Sequence, residues 1–232
     1  MITIFEDNEI LVLDKPSGVV VNRSNTYAGQ TVQDFVEDQI DFTESDEDSE
    51  FKSRSGVVHR LDKDTSGILL VAKNPDSFVK IQKQFKERTV KKQYHAIVNG
   101  KSPTGKFEID APIGRNPKDR LSMAAVMGGK EARTDFDFVK HFQVNSSEGT
   151  WFSYVMAFPY TGRTHQIRVH LAALNLPIVG DPIYCTRAKL EASSNAFNRM
   201  MLHALSIQFT HPQTEERVTF EASLPEEFKK YI

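Results

Sequence analysis

Apolar runs of strand length, cut by Gly, Pro and Asn, recur along the whole chain. Residues 10–18, ILVLDKPSG, read as a short apolar strand ending in a Pro/Gly turn. Thr31 with Asp34 three residues later predicts a capping box opening a helix over TVQDFVEDQI, 31–40. ILLVA, 68–72, reads as a buried strand. Asn74-Pro75 then supplies a helix cap and a first helical residue, followed by Phe78, Ile81 and Phe85 at helical spacing. Lys80, Lys83 and Lys86 are set off from that apolar stripe, which places a basic face outward. Strand character returns in KKQYHAIVNG, 91–100, and near 106–111, 133–142, 150–158, 203–210 and 216–222. Ile167, Leu171 and Leu174 predict a short helix over 164–174, and LPEEFKKYI closes the chain as another. Many strands with few helices, not strictly alternating, predict an α+β fold rather than a doubly wound sheet.

With 232 residues, 39% of them hydrophobic, the chain can bury a good core as one domain or two closely packed lobes. We read 1–232 as a single catalytic domain. No segment reaches the roughly 20 apolar residues of a membrane helix, and the first residues lack a basic leader with an apolar run. Cys185 is the only cysteine, which rules out an internal disulfide and fits a reducing cytosol. A cytoplasmic protein with no membrane partner is therefore expected. The net charge of −2 is unevenly spread: residues 41–50 carry six acidic groups, and 80–92 carry six basic groups against one Glu. The acidic segment from Asp41 to about Ser55 reads as a flexible loop.

VVHRLDKDTSGILLVAKN, 57–74, sets a polar run between strand-like segments, and a carboxylate there can be held rigidly while facing a cleft. Asp62, flanked by Arg60 and Lys63, is the candidate ionised group. Asp64, before Thr65-Ser66-Gly67, suits an Asx-type turn. The same run matches the opening of a calcium loop, but position twelve is Lys73 rather than an acid. In TGRTHQIRVHLAALNLPIVGDPIY, 161–184, Arg163 and Arg168 suit a carboxylate or phosphate. His165 and His170, five apart, are poorly spaced as metal ligands, so no metal is expected. Tyr94 alone reads as a core or stacking aromatic.

Taken in order, these segments resemble the RluA-type family of pseudouridine synthases. The resemblance rests on Asp14-Lys15-Pro16-Ser17-Gly18, on His59 to Gly67, on Lys92, Tyr94 and Gly100, on Gly162 to Leu171 without a gap, and on Gly180 to Tyr184. These blocks span nearly the whole chain. No block typical of an N-terminal S4-type domain precedes them, so grip on RNA is expected from the catalytic domain itself. Cys185 stands where the family usually has Gly.

The resemblance implies a central bifurcated, mainly antiparallel sheet flanked by helices, with the active-site cleft across its middle. It implies Asp62 as catalytic aspartate, Arg168 paired with it, Tyr94 stacked on the uracil and assisting proton removal, and Arg60 filling the gap left by a flipped nucleotide. The expected RNA contacts are His59, Arg60, Lys63 and Thr65 beside Asp62, Lys80, Lys83 and Lys86 on the basic helix, and Arg163, His165 and Gln166 in the second motif. Lys118-Asp119-Arg120 is a further candidate for the RNA backbone. Neither metal nor organic cofactor enters the implied chemistry, and a monomer is expected. Large-subunit ribosomal RNA is the first substrate expected and transfer RNA the second. Two other readings stay open: an idle RNA-binding or ribosome-assembly factor, and a glycosidic-bond hydrolase using Asp62 and Asp64 as a carboxylate pair if both face the cleft from a strand.

Overall fold

The computed structural model describes residues 1–24, 27–42, 49–119, 122–144 and 149–231. The chain forms two compact units, Met1–Lys91 with Ala204–Ser223, and Lys92–His203 with Leu224–Ile232. Both are α+β, built on mainly antiparallel sheet with few helices, the class expected from the strand pattern.

In the first unit, β1 (Ile2–Glu6) and β2 (Ile10–Lys15) form an antiparallel hairpin, and β2 pairs antiparallel with β3 (Ser66–Ala72). β3 neighbours β10 (Leu202–Thr210), which pairs antiparallel with β11 (Arg217–Glu221). Every residue of β3 is buried, which explains its unbroken apolar run in place of alternation. β1 carries no such signal, being mostly exposed; its pairing with β2 makes it a strand.

The predicted caps are present. At α1 (Val32–Glu37) Asp34 N donates to Thr31 Oγ1 at 3.3 Å, and Thr31 N donates to Asp34 Oδ2 at 2.7 Å. At α3 (Pro75–Lys86) Ser77 N donates to Asn74 Oδ1 at 2.9 Å, with Phe78 and Ile81 buried and Lys80, Lys83 and Lys86 exposed.

The expected flexible loop over 41–55 is corrected in its last part. Ser49 caps a short helix, α2 (Glu50–Ser53), and Phe51 is only 4% exposed. Its ring centroid lies 5.1 Å from that of Phe42 and 5.8 Å from that of Phe78. One aromatic inside an acidic run thus anchors the segment, because burying a Phe outweighs the preference of its neighbours for water. Residues 43–48 lie outside the described residues.

In the second unit, β4 (Lys91–Asn99) pairs with β9 (Phe152–Pro159), β9 with β8 (Arg133–Phe142), and β8 with β5 (Lys106–Asp110), all antiparallel. A separate two-stranded ribbon joins β6 (Ile113–Arg115) to β7 (Met123–Ala125). Three helices complete this unit: α4 (Gln166–Ala173), α5 (Arg187–Ser193) and α6 (Glu226–Lys229). Its core joins Ala96, Ile97 and Val98 of β4 with Phe152, Tyr154 and Val155 of β9 and Ile167 and Leu171 of α4. The sequence did not signal β6, β7 or α5, which are too short or too exposed to show a period.

Gly67 opens β3 at φ 111°, and a Cβ there would lie 2.2 Å from the Ala204 carbonyl oxygen. Gly105, at φ 74°, has open space around the same position. Gly67→Ala is therefore expected to cost about 3 kcal/mol or more, combining strain with a backbone clash. Gly105→Ala should cost only about 1 kcal/mol. Urea unfolding of the two variants checks the difference.

Burial also sets a pH response in the second unit. It holds His95 down to about 4 and His203 down to about 3, with Arg199 and His95 adding to the effect on His203. Both folded values lie below the unfolded value of about 6.5, so the unfolded chain binds more protons in between. Stability is then full above about pH 6.5 and falls towards pH 4, by about 1.4 kcal/mol per pH unit for each histidine. Denaturant midpoints from pH 7.5 to 4.5 should show this slope, and His95→Gln should reduce it by about half, leaving the share of His203.

Candidate active site

Asp62 sits in a turn that precedes β3, closed by Thr65 N donating to the Asp62 carbonyl at 3.1 Å. This corrects the strand expectation. Asp62 and Asp64 do not alternate along a strand, so the argument that both face one cleft as an acid/base pair is lost.

A second turn holds this one in place. Lys15, at the end of β2, is fully buried and donates to the carbonyls of Pro16 and Val19 at 2.9 Å and of Lys63 at 3.0 Å. Gly18 N donates to the same Lys63 carbonyl at 2.9 Å, and Ser17 Oγ to the Asp64 carbonyl at 2.7 Å. Gly18 has φ 90°, a conformation that glycine accepts without strain. The Lys-Pro-x-Gly block thus binds the backbone on the C-terminal side of Asp62. On the other side, His59 Nε2 accepts from Leu70 N at 2.9 Å, and its ring stacks on Phe85 with centroids 5.1 Å apart.

The residues expected to touch RNA in the first unit are placed as follows. His59 uses Nε2 as an acceptor inside the protein, which ties the motif to β3. Thr65 is buried, 2% exposed. Arg60 and Lys63 are exposed beside Asp62, with Lys63 Nζ 5.7 Å from the Tyr27 ring centroid. On α3, Lys80 donates to the Pro212 carbonyl at 2.9 Å, Lys83 lies 3.9 Å from Glu87, and Lys86 is exposed.

In the second unit the other motif surrounds the start of α4. His165, its N-cap, adopts φ 57° and supplies no side-chain cap; its Nδ1 lies 2.9 Å from the Tyr184 hydroxyl. Gln166 is buried with its amide committed: Oε1 accepts from Thr161 Oγ1 at 2.6 Å and Arg163 N at 3.0 Å, and Nε2 donates to the Arg133 carbonyl and Thr134 Oγ1. Gln166 thus acts as a strut between Thr161, Arg163 and β8. Arg163 Nε donates to the Glu131 carbonyl at 2.9 Å. Lys118 is exposed, and Arg120 lies outside the described residues. Tyr94 is half-buried on β4, opposite Ala157.

Arg168 meets a partner that sequence reading missed. Its Nε and one terminal nitrogen donate to Asp181 at 2.7 and 2.9 Å, with the arginine 4% and the aspartate 0% exposed. Asp181 Oδ1 also accepts from Ile183 N at 2.9 Å and Tyr184 N at 3.1 Å, which turns the chain so that the Tyr184 ring lies 5.2 Å from the guanidinium carbon. The Tyr184 hydroxyl accepts from Met123 N at 3.0 Å, tying the β7 ribbon to this cluster. The available signal was Gly180-Asp181-Pro182, an acidic residue inside a turn sequence. Among the described residues no group of His, Cys, Asp and Glu could hold a metal ion.

Removing one partner of a buried ion pair leaves the other charge uncompensated. Asp181→Ala is expected to lower stability by about 3–5 kcal/mol, as read from urea unfolding. Asp181→Asn should recover only part of this, because the amide can accept one bond from Arg168 without carrying charge.

Comparison with known proteins shows the family. A profile of the family described as RNA pseudouridylate synthase matches residues 9–173. The uncharacterized RNA pseudouridine synthase YlyB of Bacillus subtilis is 39% identical over 98% of this chain and 70% of its own length. The ribosomal large subunit pseudouridine synthase D of Nitrosomonas europaea is 35% identical over 97% of this chain and 62% of its own, so the chain spans less than two thirds of that relative. The solved structure of human RNA pseudouridylate synthase domain containing 1 superposes with a TM-score of 0.73 at 29% identity, covering 96% of this chain and 83% of that one. Domain containing 4, at 22% identity and a TM-score of 0.69, shares the fold. A match over residues 9–173, with the Asp62 turn and the Arg168 helix inside it, places this chain in the RNA pseudouridylate synthase family.

Proposed function

We propose that this chain isomerises uridine to pseudouridine in RNA, with large-subunit ribosomal RNA as its substrate and Asp62 as the catalytic carboxylate. The observation that carries the reading is the pinned turn: buried Lys15, Ser17 and Gly18 fix the carbonyls of Lys63 and Asp64, directly after Asp62. A catalytic carboxylate needs such a platform, because small displacements from the attacking geometry cost rate steeply. The choice of RNA follows the relatives named ribosomal large subunit pseudouridine synthase D. Transfer RNA is the second candidate.

In this scheme the target nucleotide is extruded from its helix, with exposed Arg60 entering the space it leaves. Asp62 attacks C1′, or takes a sugar proton to give a glycal, and the N1–C1′ electron pair departs with the uracil. The uracil turns and C5 bonds to C1′ as the C1′–O bond to Asp62 breaks, or, on the glycal route, as Asp62 returns its proton to C2′; loss of the C5 proton then restores the ring. Tyr94 stacks on the uracil while it is detached, and Arg168, its plane fixed by Asp181, is the third catalytic residue of this scheme. Water must be kept out throughout, since it would trap C1′. A glycosidic-bond hydrolase is less well supported, because Asp62 and Asp64 lie in one tight turn and not on a strand face.

The test is tritium release from C5-labelled uridine in unmodified large-subunit ribosomal RNA and in transfer RNA transcripts. Wild type should release tritium from the ribosomal RNA, and Asp62→Ala should reduce the rate by at least about 10⁴-fold. Free uracil or ribose among the products would favour hydrolysis. A folded, RNA-binding wild type that releases nothing would favour an idle assembly factor.

A further inference from the structure

Two lysines sit in motifs that flank the proposed chemistry, Lys15 fully buried and Lys92 partly buried, and they are satisfied very differently. Lys15 directs bonds of 2.9, 2.9 and 3.0 Å to three carbonyls, enough for the three donors of an ammonium. Lys92 meets a single acceptor among the described residues, the Thr161 carbonyl at 3.4 Å, beyond the usual range for such a bond. No ion pair of Lys92 occurs among the described residues. Burial alone pushes its ammonium down to about 8.

A partly buried charge left this poorly compensated lowers stability unless something else uses it. Its surroundings indicate the use. Lys92 lies two residues before Tyr94 on β4, and strand alternation sets the two side chains on the same face. Its one contact, Thr161, begins the stretch that carries Arg163 and the start of α4. We propose that Lys92 is a further catalytic residue, whose ammonium donates to a carbonyl oxygen of the uracil held by Tyr94 and stabilises the negative charge on that ring as it leaves C1′. This rests on the function proposed above.

When the N1–C1′ bond breaks, its electron pair goes to N1 and delocalises onto the ring oxygens. A donor already in place beside those oxygens lowers the barrier without moving at the moment of reaction. The proton stays on Lys92 throughout, and the charge is relieved when C5 bonds to C1′ and loses its own proton. A desolvated ammonium acts more strongly here than a solvated one, which accounts for a lysine kept in so unfavourable a place.

The experiment uses the full chain, with single-turnover rates on a large-subunit ribosomal RNA transcript containing uridine or 5-fluorouridine, whose fluorine makes the ring a better leaving group. Lys92→Met is expected to unfold at the same or a higher urea concentration than wild type and to bind RNA within about twofold, since it removes a partly buried charge and no good bond. Its bond-breaking rate should fall about 100-fold with uridine and less than about 10-fold with 5-fluorouridine. Lys92→Gln, an uncharged donor, should fall in between and serves if the Met variant does not fold. An unchanged rate, equal losses with both rings, or a loss in RNA affinity alone would overturn the assignment to the leaving group. An inactive wild type would overturn the proposed function and this inference together, so the two failures are told apart.

Discussion

A lysine with no exposure must find its hydrogen-bond partners inside the protein, and the first unit is arranged around that demand at Lys15. β2 delivers it, the Pro16–Gly18 turn folds back over it, and its third bond reaches the Lys63 carbonyl, far along the chain. Since the peptide carrying that carbonyl follows Asp62 directly, the condition that satisfies a buried ammonium also fixes the proposed catalytic carboxylate. His59 applies the same logic from the other side, its ring nitrogen taking a backbone N–H of β3. The polar residues of the HRLDKDTSG motif therefore divide between building the turn and facing solvent.

The second unit solves a related problem with a different pair. Arg168 and Asp181 are both inside, and the aspartate oxygens are further satisfied by two backbone N–H groups. Such a pair contributes more to orientation than to stability, because the desolvation of two charges offsets much of their attraction. It fixes the plane of the guanidinium, on which the Tyr184 ring then rests. His165, held at φ 57° at the head of α4, meets the Tyr184 hydroxyl. Strain of this kind persists where neighbouring contacts over-determine it. Against these saturated groups Lys92 stands out, since a protein that satisfies Lys15 and Gln166 so fully gives it one long bond among the described residues.

Much of the fold could be read from periodicity. The capping box at Thr31 and Asp34, the Asn74-Pro75 helix start and the limits of β8 are local features, decided by residues a few positions apart. β1, β6, β7 and α5 escaped because they are short, and their states follow from pairing or packing that no local window contains. The loop expected over 41–55 misled in its last part because charge density described its average, whereas Phe51, buried between Phe42 and Phe78, decided where it lies.

For the site, the sequence by itself determined the chemical inventory: an aspartate in a polar run, a tyrosine on a strand and an arginine on a short helix, in an order that marks the family. It could not assign partners, because hydrogen bonds reach across sequence distance. Only the tertiary structure decided that Arg168 is gripped by Asp181, that Lys15 clamps the Asp62 turn, and that His59, Thr65 and Gln166 face inward. Residue type limits what a side chain can donate or accept; burial and proximity, which exist only once the chain has folded, decide whether it does so toward the protein or toward a substrate.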